Sequence, residues 1–216
     1  MPFFALALVW GSSFVAIEVA VEHAPPLLLA GLRYVVAGSV VFGYAALTTD
    51  RILPRSRADL GAILAAAVFT IAGYQAFLFV GTQYVSGSVA SVVISLSPIL
   101  TAVLAGAFLD ESSDTTDVLG FLLGIVGVAL VARPDPTAVD GTTVGVGLVF
   151  LGALSFSLGA VGTRSFDPSL PIPALQSWAM AGGAVLLLGG SVARGETAPS
   201  LAAVPTVAVA AFAYVA

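Results

Sequence analysis

The run of residues 84–111, YVSGSVASVVISLSPILTAVLAGAFLDE, most narrows what this chain can become. Residues 87–109, about 23 of them, carry no charge, which is enough to cross a hydrocarbon core of roughly 30 Å as a helix. Ser88, Ser91, Ser95 and Pro98 recur at steps of three, four and three, so they share one helical face. Pro98 has no backbone N–H, which leaves the carbonyl of Ile94 without its helical partner. In lipid that carbonyl must find another donor, or its face must meet protein or water. The face is therefore expected to turn inward, with the rest of the chain enclosing it.

Further apolar runs at residues 3–21, 27–47, 60–80, 118–132, 144–162 and 173–193 flank this one. With 59% hydrophobic and only 9% charged residues, the chain lacks the charge a soluble domain of 216 residues needs to stay solvated. The pattern predicts an all-α polytopic membrane protein with about seven complete transmembrane helices and a partial eighth. The eighth run begins near Thr206 and has covered about 11 residues at Ala216, too few to span, so the sequence is expected to be a fragment. The first run outlasts a signal-peptide core without a cleavage site, so it reads as a span, interrupted by Trp10, Gly11, Ser12 and Ser13. The run at 118–132 is short and is expected to borrow Thr115 and Thr116.

Several chemistries are excluded. Cysteine is absent, so disulfides and thiol chemistry are out. One histidine and scattered loop acids assemble no metal site, and no cofactor is expected. No phosphate-binding loop is present, so ATP is not the direct fuel. Lysine is absent too, and seven Arg stand against twelve acids, which argues against nucleic acid and against substrates steered by bulk positive charge. The acids gather in loops, with Asp110, Glu111, Asp114 and Asp117 in one connection. If loops alternate sides, Arg51, Arg55, Arg57 and Arg164 share the N-terminal side against Arg133 and Arg194, which predicts a cytoplasmic N-terminus in the cell membrane.

Residues 25–43, PPLLLAGLRYVVAGSVVFG, and 171–190, PIPALQSWAMAGGAVLLLGG, are both proline-led spans rich in small residues. A five-span unit repeated once would be inverted in the membrane, because five is odd. The division predicted is a first five-helix repeat at 1–133, a connection at 134–143 and a partial second repeat at 144–216.

Glu18 and Arg33 are the deep charges. A charge at membrane depth costs about 2.5–3.5 kcal/mol on insertion scales, so each should face the bundle interior or a partner. Each lies roughly 10 Å from the turn joining the first two spans, so the two could pair, either as a gate or as a docking ion pair. Ser88, Ser91, Ser95 and Pro98 could line a cavity or let helices approach closely. Trp10 and Ser13 in the first span, and Tyr74 and Gln75 in the third, are further solute contacts; Gln176 and Trp178 are weaker ones, and Tyr84 is expected at the interface. Gly120, Gly124 and Gly127 form a small-residue stripe that suits helix packing or a homodimer. His23 is expected in a solvated loop.

WGSSFVAIE, PPLLLAGLRYVVAG and YQAFLFVGTQYVSGSVASVVISLSPILTAVLAGAFLDE together resemble the EamA-like branch of the drug/metabolite transporter superfamily. The most specific pieces are Trp10-Gly11-Ser12, Arg33 and the small-residue run through Pro98 to Glu111. The resemblance implies a ten-span carrier of two inverted repeats that moves small metabolites by alternating access, with members that export amino acids. The expected function is a secondary active transporter of a small organic solute in the bilayer, driven by a proton or sodium gradient. Its cavity is expected between spans one, three, four and six, with Ser155 and Ser157 as the second repeat's contribution, and to suit neutral, zwitterionic or amphipathic solutes. A non-transporting scaffold or carrier remnant is the alternative. An intramembrane enzyme would need a nucleophile with a base, or paired acids at depth, which these spans lack.

Overall fold

The computed structural model describes residues 2–109, 115–132, 141–200 and 204–216, which form helices and their connections, with no strand among the described residues. In chain order the helices are α1 (Pro2–Val21), α2 (Pro26–Thr48), α3 (Arg57–Gly81), α4 (Gly87–Phe108), α5 (Thr115–Ala132), α6 (Gly141–Ser165), α7 (Ile172–Ala193) and α8 (Thr206–Val215). Five of them, α2, α3, α4, α6 and α7, are long and apolar enough to cross a membrane. The stretches Leu8–Val21, Val118–Leu130 and Thr206–Val215 are apolar but shorter. Of the seven complete spans expected, five therefore qualify by length and composition. Asp110, Glu111, Asp114, Arg133 and most of the 134–143 connection lie outside the described residues, as does the side chain of Asp117.

Local chemistry sets where helices begin. Proline occupies the first turn of α2 and of α7, where a missing N–H costs nothing and φ is already helical. Ser56 caps α3 in a reciprocal box with Asp59, and Ser86 caps α4.

Three helices depart from their sequence expectation. Trp10, Gly11, Ser12 and Ser13 do not interrupt α1, which runs unbroken. The serine hydroxyls stay within the helix instead, Ser12 Oγ donating to the carbonyl of Leu8 (2.7 Å) and Ser13 Oγ to that of Trp10 (2.6 Å). α3 holds an unforeseen π-helical stretch, Ala66–Gly73. α4 is broken at Ser95 and Leu96 into Gly87–Ile94 and Ser97–Phe108, because Pro98 cannot continue the ladder.

The broadest helix–helix interface joins α2 to α7, the two proline-led spans, in antiparallel contact. A Cβ on Gly31 would lie 2.7 Å from Leu188 Cγ, and one on Gly38 3.2 Å from Met180 Cβ, so these glycines set the spacing. Across the α3–α6 seam, Gly145, Gly152 and Gly159 recur every seventh residue, facing Val85, the Tyr74 carbonyl and Thr70. Small residues there bring backbones close where burying apolar surface gives no drive, since lipid is equally apolar. α8 closes on α1, with Ser12 Oγ and Tyr214 OH 2.7 Å apart.

Three carboxylates tie helix starts to other elements. Glu18 of α1 accepts from the N–H of Gly87 at the start of α4 (2.7 Å). Glu196, after α7, accepts from the N–H groups of Leu27 (3.4 Å) and Leu28 (2.9 Å) in the first turn of α2, beside Arg194 (3.7 Å). Asp59, at 0% exposure, accepts on one oxygen from the N–H groups of Arg55 (3.1 Å) and Ser56 (3.2 Å), and on the other from those of Ser169 (3.0 Å) and Leu170 (2.9 Å), just before α7. Arg51 stands 3.5 Å from the same carboxylate and donates to Ser169 Oγ (3.0 Å). The Asp59 and Glu196 ties thus grip the α2–α7 pair at opposite ends. Asp59→Ala orphans four N–H groups, so its thermal unfolding midpoint in detergent is expected to fall by several degrees. Glu22→Gln, at an exposed carboxylate, is expected to leave it unchanged.

Candidate functional site

The break in α4 frees a backbone carbonyl that finds a serine, and a second serine crosses from α6 to a carbonyl in the π-helical stretch of α3 that already accepts the Tyr74 N–H. The Ile94 carbonyl freed by Pro98 is taken by Ser97 Oγ at 2.7 Å. The Phe69 carbonyl, within the π-helical stretch, is taken by Ser155 Oγ of α6 at 2.8 Å. Ser157 Oγ bonds the carbonyls of Ser97 and of Ala153, each at 3.0 Å, which pins α6 to the α4 break. Ser155 and Ser157 therefore bond across helix seams, and neither is among the residues lining the two cavities beside the α4 break.

In front of the break lies a cavity of about 590 Å³. Its walls come from α1 (Trp10, Phe14), α3 (Tyr74), α4 (Ser91, Ser95, Pro98, among others) and α6 (Phe156, Ala160). Ser91 and Ser95 turn their hydroxyls back onto the Ser88 and Val92 carbonyls (2.8 and 2.6 Å), so the wall they present is small and weakly polar. Trp10 is 54% exposed at its edge. Ser88 lies outside it, 2.9 Å from the capping Ser86 hydroxyl.

A second, smaller chamber of about 230 Å³ adjoins the first across Trp10, Phe14, Tyr74 and Phe156. It is the polar one, holding Ser13, Arg33, Tyr34, Gln75 and Gln176. Gln75 Nε2 donates to Tyr34 OH at 2.6 Å, and the Arg33 guanidinium sits 5.5 Å from the Tyr34 ring centroid.

Glu18 and Arg33 do not pair. Glu18 is committed to Gly87 N, where a helix start offers unsatisfied N–H groups and a partial positive charge, and Arg33 points to the chamber. Of the other candidates, Trp178 Nε1 donates to the Ile52 carbonyl (2.9 Å), and Tyr84 is exposed. His23 is half-buried with Nδ1 3.0 Å from the Val19 carbonyl, not free in solvent. In the glycine stripe only Gly124 packs closely, against Leu96 and Ile99; Gly120 and Gly127 meet nothing within 4 Å. Phe14, Phe156 and Tyr34 are lining residues that the sequence did not single out. Phe14 lies one turn beyond Trp10, and that spacing was the available signal.

A bundle with five helices long and apolar enough to cross a membrane is the build of a multi-pass membrane protein. The EamA-like transporter family matches residues 2–133, more than half of the chain, and the chain belongs to that family. The matched part holds α1 to α5, and so every cavity residue named except those of α6 and Gln176 of α7. An uncharacterized transporter of Archaeoglobus fulgidus is 33% identical over 132 residues, 61% of this chain and 46% of that protein. The uncharacterized inner membrane transporter YedA of Escherichia coli strain K12 is 28% identical over 192 residues, 88% of this chain and 61% of its own length. A probable amino-acid metabolite efflux pump of Salmonella typhimurium is 27% identical over 173 residues, 80% of this chain and 55% of that protein. The chain thus spans about half to three fifths of the length of these relatives.

Ser97→Ala removes the donor to the Ile94 carbonyl and is expected to destabilise the protein by about 1–3 kcal/mol. Ser95→Ala, at an exposed hydroxyl, is expected to stay within about 0.5 kcal/mol. Chemical unfolding in detergent micelles reads both.

Proposed function

We propose that the chain works as a secondary active transporter that moves a small organic metabolite across the cell membrane by alternating access. The observation that carries this reading is the 590 Å³ cavity facing the broken α4, walled by α1, α3, α4 and α6. Carriers place solute sites where a helix is interrupted at membrane depth, since irregular backbone is tolerated only against protein or a cavity. Trp10, Tyr74, Ser91, Ser95 and Pro98 are the proposed contacts in the main cavity, and Ser13, Arg33 and Gln75 those in the polar chamber.

The mechanism we infer is rocking of two inverted five-helix repeats, 1–133 and a partial 144–216 joined by 134–143. Their pairing is supported by the antiparallel α2–α7 contact with its carboxylate ties at both ends. It is also supported by the correspondence of α1 against α8 with α6 against α3, the interfaces that a two-fold exchange of the repeats would interchange. In this reading the N-terminus is cytoplasmic, and a proton or sodium gradient is the drive. Amino acids or their metabolites lead the solute panel, on the printed name of the Salmonella relative. Gly120 and Gly127, open on α5, suit a second copy.

Proteoliposomes carrying the protein, loaded with mixed amino acids, hydroxy acids and short carboxylates, test this directly. At least one solute is expected to exchange across the membrane faster than in protein-free vesicles. Ala160→Phe, which fills the cavity from α6, is expected to abolish that exchange without unfolding the protein. Equal leakage with and without protein would contradict the reading.

A further inference from the structure

Arg33 is a half-buried cation within a helix long and apolar enough to cross a membrane, and among the described residues no anionic side chain pairs with it. Its guanidinium lies 5.5 Å from the centroid of the Tyr34 ring. The nearby acids are committed elsewhere: Glu18 to the start of α4, Glu196 to the start of α2 and to Arg194. Among the described residues, no carboxylate lines the chamber that Arg33 faces. A charge held at this depth without a partner is costly, and a chain keeps one there for an anion it meets in use.

A second group in the same chamber points the same way. Gln75 is 2% exposed, and its Nε2 is used on Tyr34 OH, but its Oε1 has no hydrogen-bond donor. A buried acceptor left unmade costs about 1–3 kcal/mol, so this oxygen calls for an N–H or O–H from a ligand. Both groups approach Tyr34 and line the same chamber.

We propose that the chamber binds the head of a small monocarboxylate that also carries a neutral hydrogen-bond donor, with Arg33 on the carboxylate and Gln75 Oε1 on the donor. The apolar body of the solute extends past Trp10 and Phe14 into the larger cavity, against Ile94 and Phe156. This inference rests on the transporter reading above and narrows its substrate class. An α-hydroxy acid with an aliphatic side chain meets every requirement. An amino acid meets them less well, because its ammonium would lie beside the Arg33 guanidinium with no carboxylate to compensate it.

Four near-isosteric solutes separate these elements on the unmodified protein: α-hydroxyisocaproate, isocaproate, α-hydroxyisocaproamide and leucine. Binding is read as solute-dependent thermal stabilisation in detergent. α-Hydroxyisocaproate is expected to bind tightest, and its uncharged amide roughly tenfold or more weaker. Loss of the hydroxyl in isocaproate and the ammonium of leucine are each expected to weaken binding as well. Arg33→Gln is expected to erase the gap between acid and amide, Arg33→Lys to keep part of it, and Gln75→Leu to erase the gap between hydroxy acid and isocaproate. Leucine or the amide binding as tightly as the hydroxy acid to the unmodified protein would overturn the head-group assignment while leaving the carrier reading intact. Absence of binding by all four, with proteoliposome exchange of some other solute, would overturn it equally. Absence of both binding and exchange would overturn the carrier reading as well.

Discussion

Every helix in a bilayer begins with N–H groups that its own backbone cannot satisfy, and here two of those beginnings are met by a carboxylate from elsewhere in the chain while a third carboxylate holds the segment leading into another helix. Glu18 reaches α4, Asp59 reaches the entry to α7, and Glu196 reaches α2. An anion at a helix start meets both the free donors and the positive end of the helix dipole, and low surrounding polarity strengthens both effects. The arrangement also fixes how helices sit against one another, because Glu18 and Glu196 lie outside the helices they serve and Asp59, besides capping its own α3, reaches the segment before α7. Asp59 and Glu196 clamp α2 and α7 from opposite ends, and Glu18 fastens α4 to α1. With these acids committed, Arg33 has no counter-charge among the described residues, and the polar chamber takes its character from that.

The cavity owes its existence to backbone that is not regular. Pro98 breaks α4, and Ser97 takes the carbonyl that the break frees; Ala66–Gly73 widens α3 to a π-helical stretch, and Ser155 of α6 bonds to its Phe69 carbonyl. The α3–α6 seam then closes tightly along Gly145, Gly152 and Gly159. The cavity opens in front of the α4 break. π-Helical turns recur at functional sites because they displace side chains by one position relative to a regular helix. In α3 the displaced stretch leads directly into Tyr74 and Gln75, which line the two chambers.

Much of this was legible in the sequence. Apolar runs of near-bilayer length located α2, α3, α4, α6 and α7, and Pro98 announced the freed Ile94 carbonyl, though not that the helix would break there. Spacing alone placed Ser91, Ser95 and Pro98 together on the cavity face. It failed for Ser88, which sits where the helix is only starting and its hydroxyl is drawn to the cap. Matching depth suggested a Glu18–Arg33 pair, but depth says nothing of azimuth, and the donors at Gly87 were the nearer partner. Ser155 and Ser157 look like cavity hydroxyls in a string of letters; only the tertiary fold reveals which carbonyls on α3 and α4 need them. The π-helical stretch left no trace, since its residues favour an ordinary helix as well.

The central claim is that the face of Ser91, Ser95 and Pro98 lines a solute-accessible cavity and not a lipid-facing groove. Because the chain has no native cysteine, single cysteines report on this without background. In sealed vesicles, Ser95→Cys is expected to react quickly with a water-soluble, membrane-impermeant thiol reagent, and Ser157→Cys, buried against α4, is expected to stay unreactive. A Ser95→Cys variant that resists the water-soluble reagent but reacts with a lipid-soluble one would contradict the account, because the broken face of α4 would then look out into the bilayer.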